Sequence, residues 1–198
     1  MARNRGAGSQ RLTDKLPLLA GAVAGAAAYV TGMILTFLLL TIDGEYEFGS
    51  AEFAGGGRLD EVGWLFYSSH FANIEATGSA LGAGESDTFN AVSEFQLQFP
   101  AVVYYLVPVV LLISASIFVV ASLDLWDPSP ADCAQAGTSI VVGYLPLALA
   151  GTFLYTASIS GLGAEFSIGP EPLTSILLVG LLFPLLFGAV GGVLFSQA

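Results

Sequence analysis

Four uncharged apolar runs, each longer than about 20 residues, constrain this chain more than any other feature. They extend over 16–42, 99–123, 134–160 and 173–195, and none contains Asp, Glu, Lys, Arg or His. Each is long enough to cross a bilayer as a helix. The first exceeds the apolar core of a secretory signal, so it is expected to be a retained helix. The resulting expectation is an all-α integral membrane fold: four transmembrane helices in a single domain over 16–198, preceded by a basic tail over 1–15.

Charge orients this layout. Four of the five basic residues, Arg3, Arg5, Arg11 and Lys15, precede the first run, and the fifth, Arg58, lies in the long segment after it. The positive-inside rule then predicts a cytoplasmic N-terminus, a cytoplasmic C-terminus after four spans, and an outer loop over 43–98. That loop holds ten of the sixteen acidic residues. A net charge of −11 with a single lysine disfavours nucleic acid as a partner and fits a protein kept soluble in concentrated salt. The source is therefore expected to be a halophile. The expected partners are the lipid bilayer and, through helix packing, a second copy or another membrane protein.

Small residues mark the helix faces. Gly21, Gly25 and Gly32 recur at helical spacing in the first run, and Gly188 and Gly192 in the fourth, which permits close backbone approach. The segments PLLAGAVAG (17–25) and PLLFGAVGG (184–192) are nearly identical. In the third run Gly137, Val141, Tyr144, Ala148, Gly151, Tyr155 and Ser158 form one stripe, expected to face the bundle interior. Pro108, Pro146 and Pro184 interrupt three runs near their middles, each freeing a carbonyl about four residues earlier. Such breaks either kink a packed helix or line a solute pathway.

Little in the chain points to chemistry. Nucleotide-binding, hydrolase and zinc-protease motifs are absent, no ionisable group lies inside a span to relay protons, and one cysteine, Cys133, allows no intramolecular disulfide. No catalytic residue, cofactor or metal is expected. In the short turn after the second span, Asp132 is the expected cap of the third span and Trp126 an interfacial anchor.

The segment EVGWLFYSSHF (61–71) stands apart, holding the only histidine between two polar stretches. Asp60 is positioned to cap a helix reaching about Asn73, with Trp64, Tyr67 and Phe71 on an inward side. Such a helix is too short to span, so it is expected to lie along the outer interface or dip between the spans. Trp64 and Tyr67 would then keep their polar atoms near water, while His70 reaches a span-end carbonyl or a nearby acid. The alternative is an enzymatic one, with His70 working beside Asp60, Glu61 and Glu75 as an acid/base or metal site.

This segment resembles a family of haloarchaeal multi-pass membrane proteins of unknown function, some of them loosely labelled transporters. The resemblance rests on Val62 to Phe71, and makes Gly63, Trp64, Phe66, Tyr67, His70 and Phe71 the candidate functional motif. It implies no catalytic residue and no substrate. The expected function is a non-enzymatic membrane protein that assembles through glycine-rich helix faces or works as a small transport-type bundle.

Overall fold

The computed structural model describes residues 17–44, 46–49, 56–80, 83–123, 128–161 and 163–197. The basic tail, Trp126 and the acids Asp124 and Asp127 lie outside the described residues. Four helices are long and apolar enough to cross a membrane: α1 (Leu18–Ile42), α4 (Ala101–Ala121), α5 (Pro130–Leu154) and α6 (Pro172–Phe195). Between the first two lie the short helices α2 (Arg58–Ser68) and α3 (Ala91–Glu94).

The fold is not all-α. Strands β1 (Ile74–Ala80) and β2 (Ala83–Phe89) form a hairpin in the first loop, and β3 (Ala157–Gly161) and β4 (Ala164–Pro170) form another between α5 and α6. The two hairpins join through β1 and β4 into one antiparallel sheet of order β2-β1-β4-β3, so the chain is mixed α/β. Two sequence patterns concealed the strands. In β1, Ile74, Ala76, Gly78 and Ala80 alternate with Glu75, Thr77 and Ser79, a short period of two within the stretch read above only as outer loop. β3, Ala-Ser-Ile-Ser-Gly, carries no charge and therefore read as the end of the third apolar run. Helix α5 in fact stops at Leu154 and the chain continues outward as a strand.

In the bundle, α1 packs on α4 and α5, and α6 packs on the same two helices. Large apolar side chains point outward from each, among them Leu19 and Val23 on α1, Phe118 on α4, Phe153 on α5 and Leu186 on α6. That much apolar surface has no place in water and suits contact with acyl chains.

Close helix approach depends on glycine. A Cβ on Gly21 or Gly25 would strike the Ser139 or Ile140 backbone of α5, one on Gly143 the Ala22 carbonyl of α1, and one on Gly192 the Cys133 carbonyl. Gly137 and Gly188 face each other's carbonyls across α5 and α6. The two near-identical segments thus grip the first half of α5, one from α1 and one from α6.

The prolines do not all face the bundle interior. Pro108 and Pro184 are buried, whereas Pro146 is exposed on the outer surface of the bundle. Ahead of Pro184 the helix widens into a π-helical stretch, Ser175–Leu182. α5 contains a 3-10 turn at Thr138–Ile140, where α1 crosses it. Its N-cap is Ser129, which accepts the Asp132 N–H at 3.2 Å, so Asp132 belongs to the first turn and is not the cap.

Candidate functional site

The aromatic motif forms the core of the molecule at the sheet end of the bundle. Helix α2 starts after Gly57, whose N–H is accepted by the Asp60 carboxylate at 2.7 Å; Asp60 is therefore the third residue of the helix and not its cap. The helix ends at Ser68, five residues short of Asn73. Residues 61 to 68 are all buried, so no side of α2 faces solvent or lipid over that stretch. Gly32 of α1 admits the Phe66 ring, and Gly63 admits the Tyr155 ring; a Cβ at either would overlap the aromatic partner.

The polar atoms of the motif are satisfied inside the protein and not by water. Trp64 donates its indole N–H to the Tyr155 carbonyl at 2.7 Å. Tyr67 donates to the Ala148 carbonyl on α5, and its oxygen lies 3.2 Å from the Tyr29 hydroxyl of α1. His70 Nδ1 is 2.8 Å from the Phe66 carbonyl, which can only accept. The proton therefore sits on Nδ1, and Nε2, 2.7 Å away, accepts the hydroxyl of Tyr144. Tyr144 lies ten residues before the end of α5, about 15 Å along the helix, so α2 carries His70 well into the bundle.

Rings pack around this network at angles that oppose ring edges to ring faces. Tyr29 meets Phe66 at 5.2 Å and 87°, and Tyr144 at 5.3 Å and 78°. His70 lies 4.8 Å from Phe66 at 78°, and 4.9 Å from Phe183 at an intermediate tilt of 55°. Each such pair adds about 0.5–1.5 kcal/mol beyond area burial. Burial pushes His70 down to about 4, the Phe66 carbonyl acting in the opposite sense, and pushes Tyr67 up to about 12. Both are neutral near pH 7.

Phe71 behaves differently from its neighbours. It is 56% exposed and stacks on Tyr105 at 4.6 Å and 16°. Its φ of 62° is left-handed. The turn requires this: Ala72 N–H reaches the Tyr67 carbonyl at 3.3 Å and Phe71 N–H the Ser68 carbonyl at 2.9 Å, a helix end that ordinarily uses glycine.

His70 is not assembled with acids. Its nitrogens meet a carbonyl and a tyrosine hydroxyl, while Asp60 and Glu61 sit at the other end of α2. Glu61 is buried and accepts the Gly49 N–H at 3.1 Å. Asp43, also buried, accepts the Gln98 N–H at 3.0 Å and the Tyr104 hydroxyl at 3.0 Å, fastening the end of α1 to the start of α4. Among the described residues no group of three His, Cys, Asp or Glu could hold a metal ion. Sequence reasoning passed over Tyr29, although a lone phenol in an apolar helix signals a buried partner.

Bundle, plug and sheet together have the build of a membrane protein: four apolar helices closed at one end by an inserted helix and surmounted by a small antiparallel sheet. The chain belongs to a family of unknown function, DUF7978, whose model matches residues 1–198. No curated protein and no solved structure matches it.

Proposed function

We propose that the chain is a non-enzymatic integral membrane protein of a halophilic cell, with both termini cytoplasmic. Its sealed bundle anchors an acidic sheet at the outer surface. The observation that carries this reading is the complete burial of residues 61–68 within the bundle, where a solute pathway would otherwise run. A close-packed, hydrogen-bonded plug favours a sealed anchor over a transporter. Placing the N-terminus inside rests on the basic residues ahead of α1. The halophilic source rests on the net charge and on the acids Glu75, Glu85, Asp87 and Glu165 carried by the sheet.

The non-enzymatic reading draws on His70, whose two nitrogens are engaged and which is fully buried. The glycine faces are filled from within the chain, which directs any assembly to other surfaces. Flux assays on reconstituted liposomes test the proposal. The intact protein should leave proton, sodium and small-dye gradients undisturbed, and a sustained flux through it would refute a sealed bundle.

A further inference from the structure

The two edges of the sheet differ in a way that selects a partner. The β2 edge carries Glu85 and Asp87, charges that ordinarily keep an edge from pairing with another chain. The β3 edge carries none. Residues Ser158 to Gly161 are exposed, Ile159 by 50%, and no further strand lies beside β3 among the described residues. In a chain of net charge −11, this uncharged, exposed strand edge with no proline lets a copy of the same edge approach without an opposing carboxylate on the paired strand.

The strand is also self-complementary. Ala157-Ser158-Ile159-Ser160-Gly161 reads almost the same in both directions about Ile159. In an antiparallel pair centred there, Ile159 lies opposite Ile159 of the second copy, Ser158 opposite its Ser160, and Ala157 opposite its Gly161. Such a contact is isologous and closes at two chains. Beside Ile159, a cleft of about 340 Å³ bordered by Gly161, Ala164, Glu165 and Phe166 leaves room for the added side chain. The nearest carboxylate on this side, Glu165 on β4, would be three strand spacings from its counterpart, about 14 Å, beyond the screening length of about 8 Å at physiological salt.

We infer that the exposed edge of β3 pairs antiparallel with β3 of a second copy, making one eight-stranded sheet. The strands run away from the bundle, since Ile74 and Ala157 are buried and Ala80 and Gly161 exposed. An antiparallel twofold therefore sets the two bundles at opposite ends of the joined sheet, in membranes that face each other. Ile159 is level with Phe166 and Gly78, four residues beyond Ile74. The bundle ends are then eight rows apart, about 27 Å, and Ala80 of β1 lies two rows, about 7 Å, from the level of the other bundle. Within one bilayer the same edge would instead meet β2, beside its two acids.

The test uses the full chain in detergent with Cys133→Ala. Ile159→Cys should give a disulfide-linked dimer on mild oxidation, and native mass spectrometry of the wild type should show dimer. Ile159→Lys and the milder Ile159→Thr, both at an exposed position, should raise the dimer dissociation constant at least tenfold for Lys and less for Thr. Liposomes carrying the wild type with the sheet outward should cluster, and those carrying Ile159→Lys should not. A strict monomer, or cross-linking only when Ile159→Cys is combined with Glu85→Cys, would overturn the inference. The inference rests on the proposed outward display of the sheet only for its facing-membrane geometry. An impermeant maleimide on Ser79→Cys in intact cells tests that display separately.

Discussion

Phe71 and His70 show how single residues set backbone strain and protonation within the motif. A bulky residue in left-handed backbone costs roughly 1–2 kcal/mol. The Phe71 ring offsets part of this by stacking on Tyr105. Phe71→Ala keeps the strain and loses the ring, whereas Phe71→Gly loses both, so the glycine variant should be the more stable of the two by about 1 kcal/mol in detergent thermal unfolding. Equal stabilities would show that the turn exerts no strain. His70 predicts a pH dependence. Its pKa falls from about 6.5 in an unfolded chain to about 4 in the folded one. Above pH 6.5 it is neutral in both states and contributes nothing. Between pH 6.5 and 4 only the unfolded state takes up the proton, so stability declines on acidification, by on the order of 3 kcal/mol in all. His70→Gln should remove that part of the decline. Parallel wild-type and variant curves would mean that His70 is not buried as the neutral form.

At the scale of elements, the helices meet at contacts that tolerate no side chain. Gly25→Ala would drive a methyl group into the Ile140 carbonyl, a backbone atom that cannot swing aside. The helices must separate, at an expected loss of about 1–3 kcal/mol. Gly161→Ala is the matched control, because a Cβ there meets nothing within 4 Å. If the two variants unfold at the same temperature, α1 and α5 are not in backbone contact. Glycine spacing in α1 and α6 was readable from sequence because a helix repeats its faces at fixed intervals. Which helix each face would meet was not, since any small-residue stripe can accept any neighbour. The hairpins were less legible. Strands this short carry few alternations, and β1 and β3 are built largely from Ala, Gly and Ser, which declare neither an inside nor an outside.

For the whole molecule, burial resets what the lone cysteine can report. Cys133 has no exposed surface and packs beneath Gly192. A maleimide should leave it unmodified even after the membrane is opened, and react only once the protein is unfolded in strong detergent. Rapid labelling of the folded protein would show that the α5–α6 crossing is looser than described. The local sequence was sufficient for four long apolar helices, the absence of charge within them, and an aromatic segment too short to span, because each of these depends on composition over a continuous stretch. Contacts between distant residues decided the rest. The pairing of β1 with β4 joins segments about ninety residues apart, and it alone makes the two loops a single sheet. His70 takes its Nε2 partner from Tyr144, and Trp64 its partner from Tyr155, both distant in the sequence. The aromatic motif could be recognised as apolar from its own residues. That residues 61–70 would be enclosed on every side depended on contacts such as Phe66 against Gly32 of α1 and Tyr155 against Gly63, which exist only once the helices are brought together.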